Sequence, residues 1–170
     1  MSPFVTFGAV LTILPFTDAR APAFRAINAA WIETMFVLEP HDEEVLADPR
    51  RHIIDPGGTI LFAASPAGEI IGTGALMPTV PGAYELTKMG VSAQARGTGA
   101  GALLLDALIA HARGLSDCDT LYLLTSRKCA AAIHLYEKAG FVHDADIMAR
   151  FGGDYARCDV AMRLPLAINP

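Results

Sequence analysis

A mixed α/β fold is predicted for these 170 residues, with the element order β-α-α-β-β-β-α-β-α-β-β. Three observations predict it. Between Thr59 and Val91, short alternating apolar runs follow one another with only Gly- or Pro-containing turns between them, the pattern of consecutive strands without intervening helices. From Tyr84 to Ala110 a strand, a glycine loop and an apolar helix follow in direct succession. Elsewhere, segments with apolar residues at helical spacing alternate with single short strands.

In order along the chain, Val10 to Leu14 is a β-like run ending at Pro15, with Thr17 and Asp18 as candidate helix caps. Ala21 to Val37 carries Phe24, Ile27, Ala30, Trp31 and Met35 near helical spacing, and Pro40 breaks it. Asp42 to Ala47 is a second short helix, capped by Asp42 or its neighbour and ended by Pro49. Pro56-Gly57-Gly58 is a turn. Thr59 to Ala64 and Glu69 to Met77 are strands around a hairpin at Ser65 to Gly68, with Gly72 and Gly74 as candidate bulges. After the turn at Pro78 to Gly82, the strand ending at Val91 leads into the glycine loop and a helix from Ala100 to about Arg113, stopped by Gly114. Thr120 to Thr125 is a strand, and Ala130 to Lys138 is a helix closed by Gly140. Phe141 to Ile147 and Cys158 to Leu164 read as a final strand pair, with Gly152-Gly153 in the loop between them.

Hydrophobic residues make up 52% and charged ones 18%, which predicts one domain over residues 1–170 with a sizeable core and some capacity for a homodimer interface. No apolar run approaches the ~18 residues that span a bilayer. The apolar N-terminus has no basic leader and carries Pro3 and Pro15, so it does not read as a signal peptide. Cys118, Cys129 and Cys158 are odd in number and form no C-x-x-C, which fits reduced thiols in the cytoplasm. A net charge of −5 speaks against nucleic-acid binding. His41, His52, His111, His134 and His143 show no ligand spacing, so no metal is expected.

The glycine loop carries the chemistry. A strand that feeds a Gly-rich turn into a helix N-terminus presents unpartnered N–H groups and the positive end of the helix dipole to an anion. A P-loop needs a lysine after its last glycine, and Ala100 and Ala102 stand there instead. A dinucleotide fingerprint is formally met by Gly97, Gly99 and Ala102, but Ser92 to Arg96 separate it from the strand, and its fold needs a parallel sheet. The pattern Q/R-x-x-G-x-G/A is matched by Gln94, Arg96-Gly97, Thr98 and Gly99. With E-L-x-K-M-x-V at Glu85 to Val91 and A-I-x-L-Y-E-K-x-G-F at Ala132 to Phe141, the chain resembles the GNAT superfamily of acyl-CoA-dependent N-acetyltransferases.

That resemblance implies a mostly antiparallel twisted sheet of six to seven strands flanked by about four helices, with the fourth and fifth strands splayed apart to admit acetyl-CoA. It implies that Gln94, Arg96, Gly97, Thr98, Gly99, Ala100 and Gly101 hold the pyrophosphate, and that main-chain groups of Met89, Gly90 and Val91 pair with the pantetheine. It makes Tyr136 the general acid for the departing thiolate; the bland alternative is a core tyrosine. It makes Glu85 the general base, against a structural ion pair with Lys88 or an arginine; alternation puts Glu85 on one face with Thr87 and Met89. Cys129 stands where the family often has an asparagine that contacts the cofactor. The acceptor is a small amine of unread identity. The acidic block Glu33, Glu39, Asp42, Glu43, Glu44 and Asp48 is either a solvated helix surface or a preference for a cationic amine. Trp31 and Phe36 wall the acceptor pocket or fill core, and Arg150 to Arg157 could meet a substrate carboxylate. The implied activity is acetyl transfer to a primary amine; the reading from another class is a non-catalytic acyl-CoA-binding sensor.

Overall fold

The computed structural model describes residues 10–166. The first nine residues of the N-terminal stretch judged above for a signal peptide lie outside them. Seven strands form one sheet in the order β1-β2-β3-β4-β5-β7-β6. They are β1 (Thr12–Pro15), β2 (Thr59–Ala64), β3 (Ile70–Pro78), β4 (Ala83–Val91), β5 (Thr120–Thr125), β6 (Val142–His143) and β7 (Val160–Leu164). Every neighbouring pair is antiparallel except β4 and β5. The reason is connectivity. Tight turns at Ser65–Gly68 and Thr79–Gly82 join β2 to β3 and β3 to β4, closed by Ser65 N–H to the Glu69 carbonyl and Thr79 N–H to the Ala83 carbonyl. Between β4 and β5 lies helix α3 (Ala100–Arg113), and a helical crossover returns the chain in the same direction.

Helix α1 (Ala21–Met35) and helix α2 (Pro40–Ala47) cover one face, with Phe24, Val45 and Leu46 packed on Ile60, Phe62 and Met77. Helix α3 covers the other face through Leu105, Leu108, Ile109 and Ala112, packed with Leu86, Leu121 and Leu123. Helix α4 (Ala130–Ala139) adds Tyr136 to that second cluster. It ends on Gly140 at φ +106°, the left-handed closing residue expected there.

The C-terminal third differs from the sequence reading. The strand predicted from Phe141 to Ile147 shrinks to Val142–His143, and a fifth helix, α5 (Ala145–Phe151), follows. Asp144 nucleates it by accepting the N–H groups of Asp146 and Ile147 at 2.9 and 3.0 Å. Its apolar Ile147 and Phe151 then share a face, and Phe151 stacks on Tyr122 with ring centroids 4.2 Å apart. A 3-10 turn, Gly152–Asp154, replaces the expected simple loop. Elsewhere, α1 ends at Met35, and Pro40 opens α2 rather than only breaking α1. The cap of α2 is Glu39, in a reciprocal box with Asp42. Thr17 makes no side-chain cap, and Asp18 instead binds Arg50 at 2.7 Å.

The turn before β2 tolerates no side chain at one position. A Cβ added at Gly58 would overlap the carbonyl oxygens of Leu76 and Ile53, which are main chain and cannot swing away. Gly58→Ala is therefore expected to lower unfolding stability by about 2 kcal/mol, as an overpacked core does. A urea midpoint equal to that of the wild type would show that the turn can relax.

Candidate active site

β4 organises the site. Its pairing with β5 holds only at Ala83–Thr120, Tyr84–Leu121 and Glu85–Tyr122, and beyond Glu85 the two strands part. The cause is a bulge. On the β3 side, Thr73 faces Gly90 and Ala75 faces Thr87, so Lys88 and Met89 together oppose Gly74. Lys88 sits at φ +51°, the one positive φ outside glycine among the described residues. A bulge bends and twists its strand, which opens the gap. It lies on β4 at Lys88–Met89, opposite Gly74, one of the two glycines singled out as candidate bulges. It also breaks the alternation: Met89 packs with the α3-side cluster and not with Glu85 and Thr87. Gly90 is required for another reason, since a Cβ there would overlap the Trp31 indole. That indole is fixed by its N–H to Asn28 Oδ1 at 2.9 Å, and buried Asn28 donates to the Phe24 carbonyl.

At the parting of the strands lies a cavity of about 50 Å³, walled in part by Trp31, Phe36, Glu85, Ser126, Cys129 and Tyr136. Glu85 is 2% exposed. Burial pushes its carboxyl up to about 7, against the lowering effects of the Lys88 charge and the Thr87 hydroxyl. No Lys, Arg or His nitrogen lies within 4.0 Å of it among the described residues, so it is not the ion pair weighed above. Tyr136 is buried from the α4 side, and burial raises its phenol above the ordinary value. Cys129 caps α4 with its main chain only.

The glycine loop lies at the far end of β4. Gly97 and Gly99 take φ of +79° and +86°, and Gly99 is the N-cap of α3 without any side-chain cap. A Cβ at either would meet nothing within 4 Å, so the loop is open on that side. Thr98 turns its hydroxyl onto the Ala95 carbonyl, and Gln94 and Arg96 are exposed. Open glycines, bare first-turn N–H groups and an adjacent arginine suit a pyrophosphate. Gly101 has no such need for glycine, because its Cβ would make only ordinary contacts with Leu135 and Val91.

The model of the Acetyltransferase (GNAT) family matches residues 22–141, well over half of the chain. The chain belongs to the GNAT acetyltransferase family. A candidate acyl-CoA N-acyltransferase from Klebsiella pneumoniae is 31% identical over 94% of this chain and 99% of its own, with a TM-score of 0.68. A GNAT-family acetyltransferase from Staphylococcus aureus shares the fold at TM-score 0.82 and 20% identity, over 93% of this chain and all of that one. A candidate acetyltransferase from Salmonella typhimurium, solved with acetyl-CoA, shares it at TM-score 0.71 and 22% identity, over 95% and 96%. No curated protein matches the sequence. The splayed β4 and β5 and the mostly antiparallel sheet agree with the GNAT fold expected from the motifs.

Other residues of this GNAT chain take roles that the sequence did not disclose. Asp42 is fully buried and Glu39 half-buried, and both bind Arg157, so these two members of the acidic block are counter-charges. Glu33, Glu43, Glu44 and Asp48 remain exposed. Arg157 is thereby engaged, and Arg150 stacks on Phe151 at 4.8 Å. Lys88 Nζ is buried against Asp42 Oδ1 at 2.7 Å. The available signal was a lysine in mid-strand between Leu86 and Met89, where a charged side chain is buried only with a partner. Among the described residues no group of three metal-ligating side chains exists, and no helix is long and apolar enough to cross a membrane.

Proposed function

We propose that this chain transfers the acetyl group of acetyl-CoA to a primary amine by direct attack in a ternary complex. The observation that carries the reading is that Glu85 and Tyr136 wall one small cavity where β4 and β5 part. Acetyl-CoA supplies the activated acyl group. Main-chain N–H groups at Gly97 and at the first turn of α3, with Arg96, hold its pyrophosphate. The free edge of β4 from Met89 to Val91 binds its pantetheine like an added strand. A carboxyl near 7 is part-ionised at neutral pH, so Glu85 accepts the proton of the bound ammonium. An N–H at the bulge donates to the carbonyl oxygen as the nitrogen–carbon bond forms. Burial keeps the Tyr136 phenol protonated, so it donates to the sulfur as the carbon–sulfur bond breaks. Three free cysteines fit a cytoplasmic location for this chemistry.

The test combines thermal unfolding with acetyl-CoA, CoA and NAD and a thiol-release assay over a panel of primary amines. At a hundredfold excess over Kd, a ligand of the folded state adds about 2.7 kcal/mol of apparent stability. Acetyl-CoA and CoA should raise the midpoint, NAD should not, and at least one amine should release thiol. No shift with either CoA form sinks the reading. A shift with no thiol release from any amine would favour an acyl-CoA sensor instead.

A further inference from the structure

The cluster behind Glu85 is larger than an acid–base pair needs. Asp42, 0% exposed, accepts Lys88 Nζ on Oδ1 at 2.7 Å and both Arg157 Nη groups at 2.6 and 2.8 Å. Its Oδ2 also takes the Glu39 N–H at 2.9 Å, which ties the cluster to the start of α2. Lys88 donates further to the Tyr155 hydroxyl at 3.2 Å and lies 4.7 Å from that ring's centroid. Arg157 Nη1 also donates to Glu39 Oε2 at 3.0 Å, and the guanidinium lies 4.8 Å from the Tyr155 ring centroid. Three segments distant in sequence are thus joined on one carboxylate: the β4 bulge, the α2 N-terminus and the strap that leads into β7.

A buried ion pair is weak evidence for stability, because desolvation cancels much of its attraction. What this one does is fix two cations at one place. The Lys88 backbone is in a left-handed conformation that a lysine rarely adopts, and such residues persist when their surroundings over-determine them. The Lys88 ammonium is bound by Asp42 and by the Tyr155 hydroxyl.

Titratable and charged groups surround Glu85 from several elements. β4 brings Lys88 and the Thr87 hydroxyl, and α2 brings Asp42 with its cap Glu39. β5 brings the Tyr122 phenol, paired to Glu85 in register, and α4 brings the Tyr136 phenol and, at its cap, the Cys129 thiol across the shared cavity. The turn and strap before β7 bring Asp154, Tyr155, Arg157 and the Cys158 thiol, with His41 beyond Tyr155 at a ring distance of 5.3 Å. Of these, Lys88 and Arg157 favour the Glu85 carboxylate and Asp154 opposes it.

We propose that Asp42 is a positioning residue for the transfer reaction. It holds the Lys88 ammonium and the Arg157 guanidinium behind the Glu85 carboxyl, so it sets the charge that carboxyl meets, and through Lys88 it keeps the β4 bulge in the shape that opens the gap. The inference rests on the reading of Glu85 as general base.

Opposite substitutions test it. Lys88→Met removes a cation facing Glu85, so the Glu85 titration should move to higher pH, by about one unit for a close charge. Asp42→Asn removes the anion that Lys88 and Arg157 share and leaves Glu39 as their one counter-charge, so the titration should move to lower pH by a similar amount. The double variant restores the balance and should lie near the wild type, and Tyr155→Phe, which changes no charge, should leave the titration in place. Two readouts are taken: the carbon-13 carboxyl signal of Glu85 in the protein alone, and the acid limb of kcat/KM. Both should move together, in opposite directions for the two single variants. A purely structural role would lower activity without this opposition, and single variants that shift the same way or not at all overturn the proposal. If Asp42→Asn does not fold, Lys88→Met decides alone, and an unmoved titration overturns it. If the carboxyl signal shifts as expected but Glu85→Gln keeps the wild-type kcat/KM and acid limb, the base reading has failed and the role in the reaction falls with it.

Discussion

Gly99→Glu is expected to raise the Kd for acetyl-CoA by at least about a hundredfold, equivalent to about 2.7 kcal/mol, and to abolish the thermal shift it produces. Gly99 has φ +86° and caps α3 with no side chain. Any other residue there carries backbone strain of about 1–3 kcal/mol. That strain is not the reason for the binding loss. Around Gly99 the space is open, so the new side chain overlaps nothing already present. A carboxylate at a helix N-terminus also gains from the dipole, which offsets part of the strain. The variant should therefore fold, with a midpoint within a few degrees of wild type in the absence of ligand. Binding is lost because the carboxylate occupies the cradle that the pyrophosphate needs and repels it. Gly99→Ala separates the two effects: it carries the strain without the charge and should weaken binding by much less. An unchanged Kd in Gly99→Glu would mean that phosphates are held elsewhere.

What was legible in the sequence is what depends on near neighbours. The glycines at positions 97 and 99 need left-handed φ and lie two residues apart, between a strand and a helix that announce themselves by periodicity. Gly140 could be read as a helix stop for the same reason, and its φ of +106° agrees. Ambiguity began where two periods fit one segment. From Phe141 to Phe151 apolar residues suit a strand or a helix, and the choice was made by one side chain, Asp144, capping the N–H groups of Asp146 and Ile147. Long-range partnerships were out of reach altogether. Asp42 lies 46 residues from Lys88 and 115 from Arg157, and nothing local marks them as one cluster. The bulge at Lys88 was hidden too, because lysine is a poor signal for a left-handed residue and Gly72 and Gly74 were the better-looking candidates. Gly90 turned out to accommodate Trp31, from a helix nearly sixty residues earlier.

Glu85→Gln is expected to lower kcat by about 10²–10⁴-fold, the range for loss of a positioned general base. The same substitution should stabilise the protein at alkaline pH. Both effects follow from a carboxyl that is 2% exposed and pushed up to about 7, chiefly by burial. In the wild type, kcat/KM should rise with pH through about 7 as Glu85 ionises, and the variant should lack that limb. For stability the sign runs the other way. A carboxyl whose folded-state value is raised contributes fully below its unfolded value of 4.5, and the contribution is lost as pH rises through about 7. Above that, the protein must bury a charge that the unfolded chain keeps in water. The move from 4.5 to about 7 corresponds to on the order of 3 kcal/mol. Glutamine never ionises, so the variant should melt higher than wild type at pH 8, with the difference shrinking toward pH 5. Activity and stability are then opposed at one residue, as expected where a site holds a charge against its solvation. Equal melting at pH 5 and pH 8 would show that Glu85 ionises freely, and its assignment as a tuned base would be withdrawn.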